Sequence, residues 1–223
     1  MKPKQSSQDA YRFWARNQFA RFRGCVAFIE TIDAQEDVSI GTCFHIGDGV
    51  FVTARHVVEA RTIKTIGFDD RDTNQHLLNK PDDWGEKLHG STSITSGPHF
   101  HDDQNIDVAC FKASPFPEHY IPLGGQLDDF LGQYELVLYR TLVLGYPPIP
   151  FADRPVLVAS VGEINALVDK YTGGHPHFVV STIARGGFSG GPALVAYNED
   201  NADGGTAALG LITETPNKAI WPF

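Results

Sequence analysis

Short runs of β-forming residues, separated by turn residues, recur along the chain from Gly24 onward. Val, Ile, Phe, Thr and Tyr are frequent in the runs, and Gly, Pro, Asp and Asn separate them. The ten runs cover residues 25–30, 38–45, 50–54, 62–68, 106–112, 135–146, 156–162, 177–182, 192–197 and 206–213. Because almost no long helix is indicated between them, the pattern predicts an all-β chain of antiparallel barrels or a sandwich.

One amphipathic helix, over residues 8–23, precedes this β-rich part. Its stripe at helical spacing consists of Tyr11, Trp14, Ala15, Gln18, Phe19 and Phe22. Ser7 is expected to cap the start of the helix and Gly24 to end it. Such a stripe most often docks against its own domain, and the alternative is an interface for a partner protein.

Charge is divided unevenly along the chain. Residues 1–23 carry six basic side chains and one acidic one, whereas the whole chain has a net charge of −9. The remaining chain is therefore strongly acidic and repels phosphate backbones, so nucleic acid is not expected as a partner. No apolar run approaches the roughly 20 residues of a membrane helix, so no membrane partner is expected either.

Cysteine content and the first residues bear on the compartment. The three cysteines, Cys25, Cys43 and Cys110, are too few and too scattered for a disulfide framework or a zinc ribbon. Residues 1–7 are polar and lead into no apolar core, which predicts no secretory signal peptide. We therefore expect a reduced, cytoplasmic protein.

Two segments lack strand patterning. Residues 69–104 are rich in Asp, Gly and Ser and are too long for a simple turn, so we expect a hairpin with loops there. Residues 115–132 open with Pro-Phe-Pro and are predicted to link two halves of the chain.

A glycine-rich turn at residues 186–192 contains the strongest chemical signal in the chain. Glycines on both sides of Ser189 permit a tight backbone that exposes the hydroxyl. They also allow the amides of Gly187 and Ser189 to converge on one point, where two N–H donors would stabilise an oxyanion. The alternative is a flexible glycine loop in which the serine is incidental.

A serine hydroxyl needs a base to act as a nucleophile, and the base needs an orienting carboxylate. Among nine histidines, His56 stands out because it follows the apolar run 50–52, where a strand gives way to a helical turn. Asp107 heads a strand that is predicted to be buried, where a carboxylate needs a partner such as an imidazole N–H. Asp102 and Asp103 are close rivals in a polar loop.

The order of these residues along the chain separates the hydrolase classes. An α/β-hydrolase places its histidine after the serine, but no histidine follows His177. A subtilisin-like order would recruit Asp33 or Asp37 and needs a helix-flanked parallel sheet, which the pattern does not contain. The remaining order, histidine then aspartate then serine, is that of the chymotrypsin-type double barrel.

Six short segments, in order along the chain, carry a family resemblance. They are residues 41–44, 53–58, 105–109, 144–147, 187–192 and 210–213. Through them the sequence resembles trypsin-like peptidases of the chymotrypsin fold, nearer to the bacterial Htr/Deg-type branch than to the secreted digestive enzymes. The resemblance extends over about residues 24–220.

The resemblance implies two antiparallel six-stranded β-barrels behind the N-terminal helix. The implied units are the helix at residues 1–23, a first barrel at 24–120 and a second barrel at 121–223, the barrels together forming one peptidase domain. Ser189 would be the nucleophile, His56 its base and Asp107 the carboxylate that orients the base, and the amides of Gly187 and Ser189 would hold the oxyanion.

The resemblance also implies where substrate binds. A peptide would lie as an added strand against residues 213–215. Ile183 would lie near the base of the primary pocket, with Thr213 and Thr215 on its wall and Glu214 near its rim. Because no acid lies at that base, a small or medium apolar side chain is expected before the scissile bond, rather than Arg or Lys.

Three departures from the family pattern bear on regulation. In secreted members an aspartate precedes the serine and pairs with a new N-terminus after cleavage, but Phe188 cannot accept that charge. The disulfide beside the secreted enzymes' histidine is absent, since Val57 follows His56. Htr-type proteins usually carry a PDZ domain after the protease, and none is expected here. We therefore predict control by a separate subunit that contacts residues 8–23 or a mobile loop.

Neither a metal nor a cofactor is expected. His99 with His101 and His175 with His177 place imidazoles close together, but no companion cysteine or acid lies at ligand spacing.

The sequence thus predicts a serine endopeptidase that acts on protein or peptide substrate, with a specific intracellular protein target under partner control. The alternative is a catalytically silent binding module on a protease fold. The presence of all three triad candidates favours the enzyme, and an esterase on the same fold remains open.

Overall fold

The computed structural model describes residues 7–68, 90–124, 136–169, 176–182, 186–196 and 205–213. Helix α1 (Ser7–Phe22) continues through one 3₁₀ turn (Arg23–Cys25) into the first strand. The elements that follow are β1 (Val26–Ile32), β2 (Val38–Gly47), β3 (Val50–Thr53), α2 (Arg55–Val58), β4 (Thr62–Phe68), β5 (Ser91–Phe100), β6 (Ala109–Ser114), β7 (Arg140–Gly145), β8 (Val158–Asp169), β9 (Pro176–Val180), β10 (Pro192–Ala196) and β11 (Thr206–Leu211).

Six strands close into an antiparallel barrel in the order β1-β2-β3-β6-β5-β4, and five form a second antiparallel sheet in the order β11-β10-β7-β8-β9. The predicted all-β architecture with an N-terminal helix is therefore confirmed. Within the described residues the second unit is an open sheet of five strands, where the family resemblance implied six in a barrel.

Each of the ten predicted runs overlaps a strand, and most ends differ by a few residues. The largest difference is at β8, which continues to Asp169 beyond the predicted end at residue 162. The pattern does not predict β5 as a separate strand, because it lies in the polar stretch 69–104 and most of its side chains are exposed. The rest of the hairpin predicted there, residues 69–89, lies outside the described residues.

Aromatic side chains fill the barrel. Phe51 stacks on Phe111 with ring centroids 5.7 Å apart, and Phe68 lies 6.3 Å from Phe51. Val57 and Val58 of α2 are buried in the same cluster. Burial of one such side chain contributes about 1.5–3 kcal/mol, so the turn that carries His56 is anchored by its neighbours.

A second apolar cluster lies between the barrel and the five-stranded sheet. Val26 and Phe44 from the barrel pack there with Leu142, Leu144 and Tyr146 from the sheet side. The Tyr146 hydroxyl also donates a hydrogen bond to the Val26 carbonyl, 3.2 Å away. This layer holds the two halves of the chain against each other.

Helix α1 docks on the second sheet through its apolar stripe. The Tyr11 hydroxyl donates to the Thr141 carbonyl (3.0 Å), the Trp14 indole N–H donates to the Thr206 hydroxyl (3.2 Å), and Phe22 is buried. The stripe therefore contacts the chain's own domain. The helix predicted over residues 8–23 ends one residue earlier, at Phe22, and Gly24 lies within the 3₁₀ turn. Ser7, the predicted cap, is the first described residue and already belongs to α1.

Part of the predicted linker, residues 115–124, is bonded to β2. His45 donates from Nδ1 to the His119 carbonyl (2.8 Å), and the Ile121 amide donates to the His45 carbonyl (2.9 Å). The Gly49 amide donates to His45 Nε2 at 3.1 Å, so the buried imidazole is neutral, with its proton on Nδ1. Burial lowers the pKa of His45, against the raising effects of the His119 carbonyl and Asp48.

This arrangement predicts an acid-sensitive contribution to stability. In the unfolded chain His45 takes up a proton near pH 6.5, whereas in the folded chain the pKa of His45 is lower. Protonation therefore favours the unfolded chain, and the free energy of unfolding decreases as the pH falls below 6.5. The loss is at most about 1.4 kcal/mol per pH unit below 6.5. Urea unfolding of wild type and His45→Leu at pH 7.5 and 5.5 measures this effect. We expect the variant to have a lower free energy of unfolding than wild type at pH 7.5, but a smaller decrease between pH 7.5 and 5.5. An equal loss in both proteins would contradict the assignment.

Candidate active site

His56 lies on the single helical turn α2, directly after β3. Because Val57 and Val58 face the barrel core, His56 is left at the surface, with 49% of its side chain exposed. The strand-to-helix junction predicted at this position is observed.

Asp107 contacts His56 at two points. Its Oδ2 lies 2.7 Å from His56 Nδ1, and its Oδ1 accepts a hydrogen bond from the His56 backbone N–H at 2.9 Å. With Nδ1 bonded to the carboxylate, Nε2 is the nitrogen left to accept a proton. Of the rival acids, Asp103 bonds instead to the backbone and side-chain amides of Asn105 within its own loop.

Arg55 connects the two segments that carry this pair, and the sequence analysis did not single it out. Its Nε and Nη2 donate to Glu59 Oε1 at 2.9 and 2.7 Å, and its Nη1 donates to the His101 carbonyl at 3.3 Å. The guanidinium also lies over the Phe100 ring, 5.1 Å from its centroid. The Arg55 hydrogen bond lowers the pKa of Glu59. The i,i+4 spacing of arginine and glutamate was the available signal.

The turn around Ser189 packs against the end of β3. Gly190 has φ +84°, and a side chain there would collide with the Thr42 carbonyl oxygen and the Thr53 hydroxyl, and would lie 2.9 Å from the Ala54 nitrogen. Ala54 is two residues before His56. The fold therefore places the serine turn beside the end of β3, and His56 follows β3 in the chain. Among the described residues, however, no hydrogen bond joins the Ser189 hydroxyl to His56, a bond that is often long without substrate.

The two amides predicted to hold an oxyanion lie in this turn. Gly187 has φ +94°, and a side chain there would collide with the Tyr146 carbonyl oxygen, so only glycine fits. The carbonyls of Gly187 and Ser189 accept hydrogen bonds from the side chain and the backbone N–H of Thr42, at 2.6 and 2.8 Å. Among the described residues no acceptor takes the Gly187 or Ser189 amide hydrogen.

Residues 41–199 match the model of the trypsin-like peptidase domain, which covers more than half of the chain. The chain belongs to the trypsin-like peptidase family. The expected family is thus confirmed, and with it the expected class of enzyme, serine endopeptidases. No curated protein matches the sequence.

Solved structures share the trypsin-like fold at low sequence identity. Deg5 is 16% identical, with 92% of this chain and 86% of that chain covered and a TM-score of 0.57. The Rv3671c protease from M. tuberculosis, in its active form, is 18% identical, with 85% and 77% covered and a TM-score of 0.51. The HtrA-type protease AlgW with tripeptide is 18% identical at a TM-score of 0.54, and the match covers 81% of this chain but only 50% of AlgW.

Only part of the predicted substrate site of this trypsin-like peptidase lies in the described residues. Thr213 follows Ile212, whose N–H donates to the Gly191 carbonyl (2.9 Å) and whose carbonyl accepts from the Gly190 N–H (2.7 Å). Thr213 is therefore held next to the serine turn. Ile183, Glu214 and Thr215 lie outside the described residues, and their roles stay predictions.

Phe188, directly before the serine, is an apolar anchor for the turn. It is 2% exposed and packs with Val143 and Ala193, with Val158 and Ile212 beside them. A residue larger than glycine at 145 would collide with its ring. Secreted relatives use an aspartate and a charged N-terminus at this point, whereas here the same turn is held by burial of a hydrocarbon ring.

Cysteines and candidate metal ligands outside the triad can be located only among the described residues. All three cysteines are free, and burial raises the pKa of the Cys25 thiol to about 12, against the lowering effect of Arg21, and also raises that of Cys43. In the part of the chain that the structure describes, no three metal-binding side chains lie together. No helix in these ranges is long and apolar enough to cross a membrane.

The anchoring role of Phe188 predicts a graded loss of stability. Phe188→Leu costs less than about 1.5 kcal/mol because it conserves most of the volume. Phe188→Ala costs about 3–5 kcal/mol, and Phe188→Asp costs more than Phe188→Ala because it buries an unpaired carboxylate. Guanidinium unfolding measures all three, with the exposed Phe13→Ala as the control. An aspartate variant as stable as wild type would contradict this assignment.

Proposed function

We propose that this chain is a serine endopeptidase that cleaves peptide bonds through Ser189, His56 and Asp107. The observation that carries the proposal is the double contact of Asp107 with His56, through Nδ1 and through the backbone N–H. Within the described ranges no hydrogen bond to His56 Nε2 or from the Gly187 and Ser189 amides of the neighbouring turn is found, and a purely structural ion pair would need none of these groups.

In the proposed reaction the Ser189 hydroxyl attacks the scissile carbonyl, and His56 Nε2 accepts its proton. Asp107 holds the imidazole in the required tautomer and stabilises the imidazolium, which then protonates the leaving amine. The amides of Gly187 and Ser189 hold the negative oxygen, and one such donor contributes about 3–4 kcal/mol. Water then hydrolyses the acyl-enzyme by the same route.

The proposed substrate is a peptide segment that adds as a strand beside residues 213–215. A pocket with Ile183 at its base and Thr213, Glu214 and Thr215 around it is the arrangement that the family resemblance implies, and it would suit a small or medium apolar side chain before the scissile bond. The AlgW structure contains a tripeptide, which supports a peptide as the class of ligand.

We further propose a specific protein target in the cytoplasm and control by a partner subunit. Three free cysteines suit a reducing compartment. Since the apolar stripe of α1 is bound to its own domain, a partner at residues 8–23 would contact the outer face, where Arg12, Arg16 and the half-exposed Phe13 lie. Full turnover by the isolated chain would contradict control by a partner.

Covalent labelling tests the proposed nucleophile. A fluorophosphonate is expected to add one adduct to the purified chain, as measured by intact mass, and Ser189→Ala and His56→Ala are each expected to abolish it. The buried histidine variant His45→Leu is the control for indirect loss. No adduct in wild type, with and without candidate partners, would instead support the silent binding module.

Replacement of the orienting carboxylate tests the proposed base. Asp107→Asn is expected to lower kcat for a peptide substrate by about 10⁴-fold, because the amide group can present its N–H₂ to Nδ1 and impose the wrong tautomer. Asp103→Asn is the control: this carboxylate lies in the same loop and accepts hydrogen bonds from Asn105, and its replacement is expected to change kcat little. Equal losses in the two variants would indicate loop distortion and would contradict the role of Asp107.

A further inference from the structure

Thr42 of β2 lies at the junction between the barrel and the serine turn, and its side chain is fully buried. Its N–H donates to the Ser189 carbonyl at 2.8 Å, and its Oγ1 donates to the Gly187 carbonyl at 2.6 Å. The same Oγ1 accepts from the Tyr146 N–H at 3.0 Å, and the Thr42 carbonyl accepts from the Thr53 hydroxyl at 2.7 Å. Every polar atom of this residue is therefore bonded.

The two residues predicted to hold the oxyanion are thus both bonded to one residue of the other half of the chain. We propose that Thr42 is a positioning residue that sets the direction and separation of the Gly187 and Ser189 N–H donors. This inference rests on the proposed peptidase function. It assigns a role in oxyanion binding to a residue outside the triad.

The geometry explains how a distant side chain could have this effect. The carbonyl and the N–H of one residue belong to two neighbouring planar peptide groups. When the carbonyl is held by a hydrogen bond, only the φ and ψ angles of that residue determine where its N–H points. Only glycine fits at position 187, because the Tyr146 carbonyl oxygen occupies the space where a side chain would lie. With the Thr42 bond removed, a glycine can rotate its peptide at low cost, and its N–H turns away from the oxyanion position.

Only a hydroxyl meets the requirement at this position. The group must donate to the Gly187 carbonyl and accept from the Tyr146 N–H at the same time, and the side chain that does so is fully buried. Serine retains both bonds, and valine matches the shape of threonine but retains neither.

Kinetics of Thr42→Val and Thr42→Ser test the proposal. We expect Thr42→Val to lower kcat by about 10²–10³-fold, the effect of one lost oxyanion donor, with KM nearly unchanged. A peptide boronic acid, which places a negative oxygen in the same position, should lose affinity in parallel, while the product peptide should not. Thr42→Ser should restore kcat to within a few-fold of wild type.

Thr141→Val is the matched control. Thr141 is also fully buried and donates its hydroxyl to a backbone carbonyl, that of Leu194 at 3.0 Å, but it does not contact the serine turn. We expect Thr141→Val to lower the free energy of unfolding in urea about as much as Thr42→Val does, and to leave kcat unchanged. If Thr42→Val does not fold, Thr42→Cys, whose thiol is a weak donor, should show a kcat below that of Thr42→Ser, and a kcat equal to that of Thr42→Ser would contradict the proposal.

The outcomes separate this proposal from the one on which it rests. If the wild type cleaves the peptide and Thr42→Val has the same kcat as Thr141→Val, the proposed role of Thr42 is overturned while the proposed function stands. A Thr42→Ser variant as impaired as Thr42→Val would overturn it as well. A wild type with neither turnover nor fluorophosphonate adduct would overturn the proposed function and, with it, this inference.

Discussion

The predicted catalytic groups come from two sheets, so the apolar layer between those sheets determines whether a site can exist. His56 and Asp107 belong to the barrel, whereas Ser189 precedes β10 of the second sheet. Burial of side chains such as Phe44 in this layer is non-directional and holds the halves together. The hydrogen bonds of Thr42 across the same boundary are directional, and they fix the serine turn at one position relative to the barrel.

Most of the fold could be predicted because each buried strand carries its own apolar signal. β5 shows the limit: only Thr92 among its side chains is buried, so its conformation comes from hydrogen bonding to β4 and β6 on either side. The α1 stripe likewise predicted that the helix docks, while the surface that receives it, around Thr141 and Thr206, depends on tertiary packing. Pattern alone does not specify that surface.

The candidate site divides in the same way. Residue type, local pattern and chain order were enough to select His56 and Asp107, and the structure brings that pair into contact. Arg55 and Thr42 were not selected from the sequence, because their roles depend on the residues that they contact in the folded chain. The Thr42 side chain bonds a residue 145 positions away in the sequence, and no local pattern contains such information.

Helix α1 has a mechanical consequence for the serine turn. Its Tyr11 is bonded to β7 and its Trp14 to β11, the two neighbours of β10 in the sheet. The helix therefore crosses β10 and opposes sliding of β7 and β11 along it. A slip of β10 by one residue would carry Ser189 about 3.3 Å along the strand axis, the length of a whole hydrogen bond. The most N-terminal element thus protects the alignment of a residue near the other end of the chain.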